Sequence, residues 1–317
     1  MKMETLEMKN YRIRITVILF TILFTALIAQ TSAAYEAESA ITRLVNATYS
    51  GIEDEPVTLL SGQWEGAPYV EGGASRPRVG LLEDIYFTGD LDADGQEEAV
   101  AILWQSAGGT GENVYIAVMK SDNGGFNNIS TSLVGDRVKL RGGRIDSGRI
   151  ILDVLQTGEN DPMCCPTQLA TRNWVLKDGQ LEENKIEVTG LLSLSVLEGS
   201  DWVLTRMNRE QTIPEDAEVT IAFSSGRVSG RSACNRYSAD IKEGDNAGEI
   251  IIGPTMGTRM ACPDHLMEVE SRYLEALAQV TSFSFYSGKL MLNGQKEDGT
   301  HFSMVFDATG TGPQVEL

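Results

Sequence analysis

Between residues 80 and 190 the chain alternates apolar and polar side chains in short runs, broken by turns rich in Gly, Ser and Asp. Alternation with a period of two over runs of roughly four to eight residues predicts β-strands. Strands are expected at 57–60, 84–88, 98–104, 113–119, 138–140, 149–156, 168–176 and 180–188. The last two read as a hairpin over Lys177-Asp178-Gly179. Ahead of them, Ile41, Leu44, Val45 and Tyr49 fall at helical spacing and predict a short amphipathic helix within 35–50. Residues 65–80, rich in Gly and Pro, read as a loop.

The pattern resumes after residue 198. Strands are expected at 202–206, 219–223, 227–229, 249–252, 282–286, 290–292 and 302–306. Between the fourth and fifth of these, Leu266, Val269, Tyr273, Leu277 and Val280 mark one face of a helix. Pro263 suits its first position, where a missing N–H costs nothing. The fold class is therefore α+β and strand-dominated: two antiparallel β-rich domains, the second with one helix packed on its sheet. Residues 35–190 form the first domain, 191–198 a linker and 199–310 the second.

Residues 1–34 do not fit this scheme. Lys2, Lys9, Arg12 and Arg14 precede a mostly apolar run, and Thr31, Ser32, Ala33 and Ala34 follow it. That order of charge, apolar core and small residues is a signal peptide, with cleavage expected after Ala33 or Ala34. The rival reading, an uncleaved anchor, is the only route to a membrane that the sequence offers. An extracytoplasmic location follows: periplasmic, cell-surface or secreted. The 26 basic and 45 acidic side chains leave a net charge of −19, which repels phosphate backbones and excludes nucleic acid as a partner.

Candidate chemistry is sparse. Asp90-Leu91-Asp92-Ala93-Asp94-Gly95-Gln96-Glu97-Glu98 carries oxygen-bearing side chains at alternate positions, with Gly95 at the sharp turn. Asp90, Asp92, Asp94, Gln96 and Glu98 are the candidate ligands of a weak structural Ca²⁺ site. Position 12 is Ala101, so the bidentate Glu of an EF-hand is missing. A solvated acidic turn explains the same residues without an ion.

All four cysteines follow the signal, in two groups: Cys164-Cys165 and Cys234 with Cys262. Three pairings are open, and the domain boundary favours pairing within each group. Cys164 and Cys165 can close a vicinal disulfide, either as a reducible switch or as part of a rigid loop. The rigid loop is preferred, because nothing else redox-like accompanies the pair. No Gly-x-Ser-x-Gly motif is present, and the two histidines, His265 and His301, sit at a helix start and a strand start. Neither shows a local partner for nucleophilic catalysis or for a zinc site.

One set of separated motifs goes further. Trp202-Val203-Leu204, Cys234-Asn235, Thr258-Arg259-Met260-Ala261-Cys262, Glu270, Leu274 and Leu290-Met291-Leu292 occur in that order over about residues 198–307. Together they resemble the META domain family, the HslJ-like domain of secreted and envelope proteins. The resemblance implies the extracytoplasmic compartment and a disulfide between Cys234 and Cys262; it implies no reaction. With no catalytic set in view, the chain reads as a non-catalytic envelope or stress-related module that binds a protein or envelope partner. The alternative is a carboxylate- or metal-dependent hydrolase sited in the N-terminal domain.

Overall fold

The structure is a computed structural model that describes residues 40–122, 125–159, 161–162, 165–208 and 211–309. The expected signal peptide and Cys164, and with it the expected vicinal disulfide, lie outside the described residues. What is described is strand-dominated and antiparallel, as the alternation predicts.

Residues 40–44 are helical, and the helix ends earlier than expected. The chain turns there because Tyr49 folds back, its buried hydroxyl donating to the Leu44 carbonyl at 2.9 Å. Strands β1 (Thr48–Tyr49) and β2 (Val57–Thr58) pair beside it. A five-stranded sheet follows in chain order: β3 (Gln63–Glu65), β4 (Arg78–Gly89), β5 (Glu98–Ser106), β6 (Asn113–Asp122) and β7 (Gly125–Asp136). A four-stranded sheet comes next, with β8 (Lys139–Asp146), β9 (Arg149–Gln156), β10 (Gln168–Lys177) and β11 (Gln180–Leu191) in sequential order.

These two sheets enclose one apolar core, with Phe87, Ile102 and Ile116 facing Leu152, Val154 and Trp174. The other face of the five-stranded sheet is covered by the opening segment, through Leu44, Tyr49 and Leu59. Burial on both faces explains why β5 reads as a nearly unbroken apolar run rather than an alternating one. The hairpin between β10 and β11 turns where expected. Asp178 and Gly179 both have positive φ, 49° and 75°, as a tight two-residue turn requires.

The C-terminal sheet has the order β17 (Ile250–Ile252), β16 (Arg236–Glu243), β15 (Arg227–Arg231), β14 (Thr220–Ser224), β12 (Asp201–Met207), β21 (His301–Ala308), β20 (Lys289–Gln295) and β19 (Val280–Tyr286). Two short strands pair off this path, β13 (Gln211–Thr212) on β12 and β18 (Met256–Gly257) on β16. A bridge between Glu249 and Ser282 brings the two ends together. The helix Asp264–Leu277 seals the interior with Val269, Tyr273 and Leu277. It stops three residues before the expected Val280, which instead opens β19, and Pro263 is its N-cap rather than its first residue.

Besides several strands of two or three residues, two long strands were not expected from the alternation. In β7, Phe126-Asn127-Asn128-Ile129-Ser130-Thr131-Ser132 offers little apolar signal, and pairing with β6 supplies what propensity does not. In β16, Tyr237, Ala239 and Ile241 do alternate inward, but among flanking charges.

The two halves are in contact. Leu155, Leu169 and Leu192 pack into the same cluster as Trp202 and Phe283. The Gly288 N–H donates to the Leu140 carbonyl at 3.0 Å, and the Arg141 guanidinium lies 5.2 Å from the centre of the Phe285 ring. Lys289 reaches Asp307 at 2.7 Å and, across the junction, Asp84 at 3.6 Å. Residues 194–196 form a single 3₁₀ turn, fixed by Glu243 accepting the Leu194 N–H at 2.8 Å.

Candidate functional site

The acidic segment is the turn between β4 and β5. Leu91 anchors it in the core beneath, while its backbone folds on its own carboxylates. Asp90 accepts the Gly95 N–H at 3.0 Å, Asp92 the Asp94 N–H at 3.1 Å, and Asp94 the Gln96 N–H at 2.8 Å. Gly95, with φ 84°, makes the reversal that brings the end of the loop back over its start.

Oxygens of Asp90, Asp92 and Glu98 lie within 4.8 Å of one another. Of the five candidate ligands these three converge. Asp94 turns to Lys120, and Gln96 is exposed, contributing its backbone N–H. Glu98 is 0% exposed, and its Oε2 accepts the Leu91 N–H at 2.9 Å. Its Oε1 and the Oδ1 of Asp90 are buried without a hydrogen bond. A buried carboxylate oxygen with no donor is costly unless a cation faces it.

Lys120 supplies part of that charge. Its ammonium donates to Asp92 at 2.9 Å and to Asp94 at 2.5 Å, and stands 3.5 Å from Glu98 Oε1. These bonds hold the Asp94 carboxyl below the usual carboxylate range, Lys120 first and the Gln96 N–H second. They push the Lys120 ammonium up, through Asp94 and then Asp92. Sequence reasoning missed Lys120, although a signal was present. The β5–β6 pairing of Ala99 with Met119 puts Lys120 beside Glu98.

The second constellation lies where β15, β16 and the long helix meet. Cys234 and Cys262 are joined by a disulfide, with Cα atoms 5.9 Å apart. Glu270, on the helix, accepts the Ser232 hydroxyl and the Asn235 N–H, each at 2.8 Å, and the Asn235 side-chain amide at 3.0 Å. The Asn235 side-chain oxygen in turn accepts the Thr258 hydroxyl at 2.8 Å and the Met260 N–H at 2.7 Å. Below it the hydroxyls of Tyr237 and Tyr273 bond at 2.5 Å, and burial pushes both phenols up. Every polar group in this knot is spent on another, so it positions backbone and offers no free reactive group.

Residues 195–305 match the family model of the META domain. That stretch is a META domain. A solved protein from Burkholderia xenovorans is 25% identical over 37% of this chain and 86% of its own, with a TM-score of 0.31. The Pseudomonas aeruginosa MucA/MucB complex aligns over 80% of this chain and 89% of that one, at 11% identity and a TM-score of 0.10. Overlays that loose carry no argument. Comparison with curated proteins gives no match.

The remaining candidates of the META domain are its histidines. His265 pairs with Asp216 at 2.7 Å on the surface, and His301 opens β21 beside a cleft of ≈ 1040 Å³. Among the described residues no helix is long and apolar enough to cross a membrane.

Proposed function

We propose that this chain is an extracytoplasmic, non-catalytic scaffold that presents a META domain to a protein or envelope partner. Its units are residues 35–190 and 199–310, joined by 191–198, and cleavage after Ala33 or Ala34 would release it. In this reading the disulfide ties the second unit and a Ca²⁺ ion ties the acidic turn of the first. The single observation that carries the calcium reading is the pair of buried carboxylate oxygens, Asp90 Oδ1 and Glu98 Oε1, neither of which has a hydrogen-bond partner, Lys120 standing 3.5 Å from the second.

Asp90, Asp92 and Glu98 would hold the ion, and Asp94 could join them once Lys120 swings out. Calcium supplies the positive charge and the high oxygen coordination that an ammonium cannot. Three carboxylates contested by a lysine suit the weak range, about 10⁻⁴–10⁻³ M, of extracellular modules. No reacting group is needed at such a site; the ion stiffens a hairpin.

Isothermal titration with millimolar CaCl₂ tests it, comparing the wild type with Glu98→Gln and Asp92→Asn. Binding heat in the wild type, lost in both variants, is expected. Equal heats in all three would leave the turn as a solvated acidic loop. Crosslinking from intact cells, followed by pull-down, tests the partner and the location together.

A further inference from the structure

The cleft beside His301 has a charge opposite to that of the molecule. It runs across the outer surface of β12, β21, β20 and β19, where Ser303 and Val305 alternate with the inward Phe302 and Met304. Arg206 stands at one end, opposite Val305, and Lys296 and His301 stand at the other, at the β20–β21 turn. No acidic side chain is among the described residues that line it, in a chain of net charge −19. Neither of the two cationic side chains, Arg206 and Lys296, forms an ion pair among the described residues, and neither does His301.

Asp298, in the β20–β21 turn, feels the Lys296 charge, but its carboxyl is held low first by the Thr300 N–H, which it accepts at 2.8 Å. Two carboxylates at the Tyr286 side are already balanced. Glu112 and Asp84, which with burial push the Tyr286 phenol up, face Lys139 at 3.7 Å and Lys289 at 3.6 Å. Lys139 adds its own charge over the Tyr286 ring, 5.6 Å from the centre. A ligand in the cleft feels these near charges, because the rest of the acidic surface is screened beyond a Debye length of about 8 Å.

Between its charged ends the cleft is neutral and polar. Asn208, Asn293, Ser303 and Thr300 offer amides and hydroxyls, and Tyr286 a half-open aromatic ring. The distance from Arg206 to His301 is four strand steps along β21, or about 13 Å. All the strands beneath are paired on both sides except β19, whose outer neighbour is the Glu249 bridge. An extended peptide would find no open strand edge for main-chain bonding here. Hydroxyl-bearing rings with carboxylates suit amides, an aromatic face and separated cations.

We propose that this cleft binds a short carboxylated oligosaccharide, its carboxylates on Arg206 and on Lys296 with His301, and its hydroxyls on Asn208, Asn293 and Ser303. The site lies on the META domain and needs no ion in the acidic turn, so it stands or falls apart from the calcium proposal.

The probe is trigalacturonic acid in buffer containing EDTA, read by amide shifts of ¹⁵N-labelled full chain and by calorimetry. Shifts should map to β12, β20 and β21, and Arg206→Gln and Lys296→Gln should each weaken binding about fivefold, the scale of one exposed ion pair. Both side chains are exposed, so the melting temperature of each variant should match the wild type. Equal affinity for neutral maltotriose, equal or tighter binding of hexaglutamate, or no shift at these strands would each overturn the proposal.

Discussion

Asn235 and Glu270, 35 residues apart, meet at both ends of the asparagine: the carboxylate takes its backbone N–H at 2.8 Å and its side-chain amide at 3.0 Å. The contact pins the long helix to the start of β16, and the Cys234–Cys262 bond closes the same corner from the other side. Glu270→Ala leaves the Asn235 backbone N–H without its acceptor, while the Ser232 hydroxyl keeps the Asn235 carbonyl and the side-chain amide keeps the Met260 carbonyl. A loss of about 2–4 kcal/mol is expected, since bonds to a charged acceptor are worth about 1.5–3 kcal/mol and the orphaned donor adds to that. Urea unfolding measures it, and a change below about 0.5 kcal/mol would show that water replaces the carboxylate.

Cys234→Ser releases the 28-residue separation that the disulfide spans. The unfolded chain regains the entropy of that loop, worth about 3–4 kcal/mol. The melting temperature should fall by several degrees, and reduction of the wild type should reproduce the fall. Peptide mapping without reductant should yield Cys234 and Cys262 in one linked fragment. Separate fragments would contradict the pairing.

Lys120→Met should act in opposite directions with and without calcium. Without the ion, Asp92, Asp94 and Glu98 lose the only cation that pairs with them among the described residues, and the turn should loosen. With the ion, a competitor is gone and affinity should rise. Calcium titrations of wild type and variant check the second effect, and amide exchange in the β4–β5 turn checks the first. An unchanged or weaker affinity would mean that the lysine helps to order the site rather than contesting it.

Acid should open this turn, and the sign follows from Asp94. Its folded pKa lies below the unfolded value of about 3.9. The stability it lends is present above that value and is lost as pH falls through the folded pKa. Lys120 is shifted the other way by the same bonds, so the pair is also lost at strongly alkaline pH, once pH rises through the lysine's raised folded value. Asp161 behaves like Asp94. Burial pushes its carboxyl up, but the Gly158 N–H and the Thr167 hydroxyl and N–H more than offset this. Proton exchange at Gly95, Gln96 and Thr167 should therefore quicken below about pH 4 while the core strands stay protected. Uniform quickening would point to global unfolding instead.

The alternation of apolar residues carried most strands into view, because a strand with one buried face must write its period into the sequence. Asp178-Gly179 marked a hairpin for an equally local reason. β7 stayed hidden because Asn127, Asn128, Ser130 and Thr131 hold their places by pairing with β6 and by side-chain bonds, as when Asn128 donates to the Val118 carbonyl at 3.2 Å. The acidic loop was legible as a ligand spacing, but its cation was not, since Lys120 arrives from another strand. The cleft was beyond reach altogether. Arg206 and His301 come to share one cleft only through the β12–β21 pairing, and nothing in either local stretch announces it.

Leu155 and Leu169 belong to the first half of the chain by sequence and to the second by packing. The META domain of this protein is therefore not a portable part. Excised at residue 198, it would carry away a bare apolar patch where those leucines and Leu192 had been, and the remaining half would carry the matching one. Each half keeps an apolar interior of its own, and what the cut would bare is the seam at which they share one.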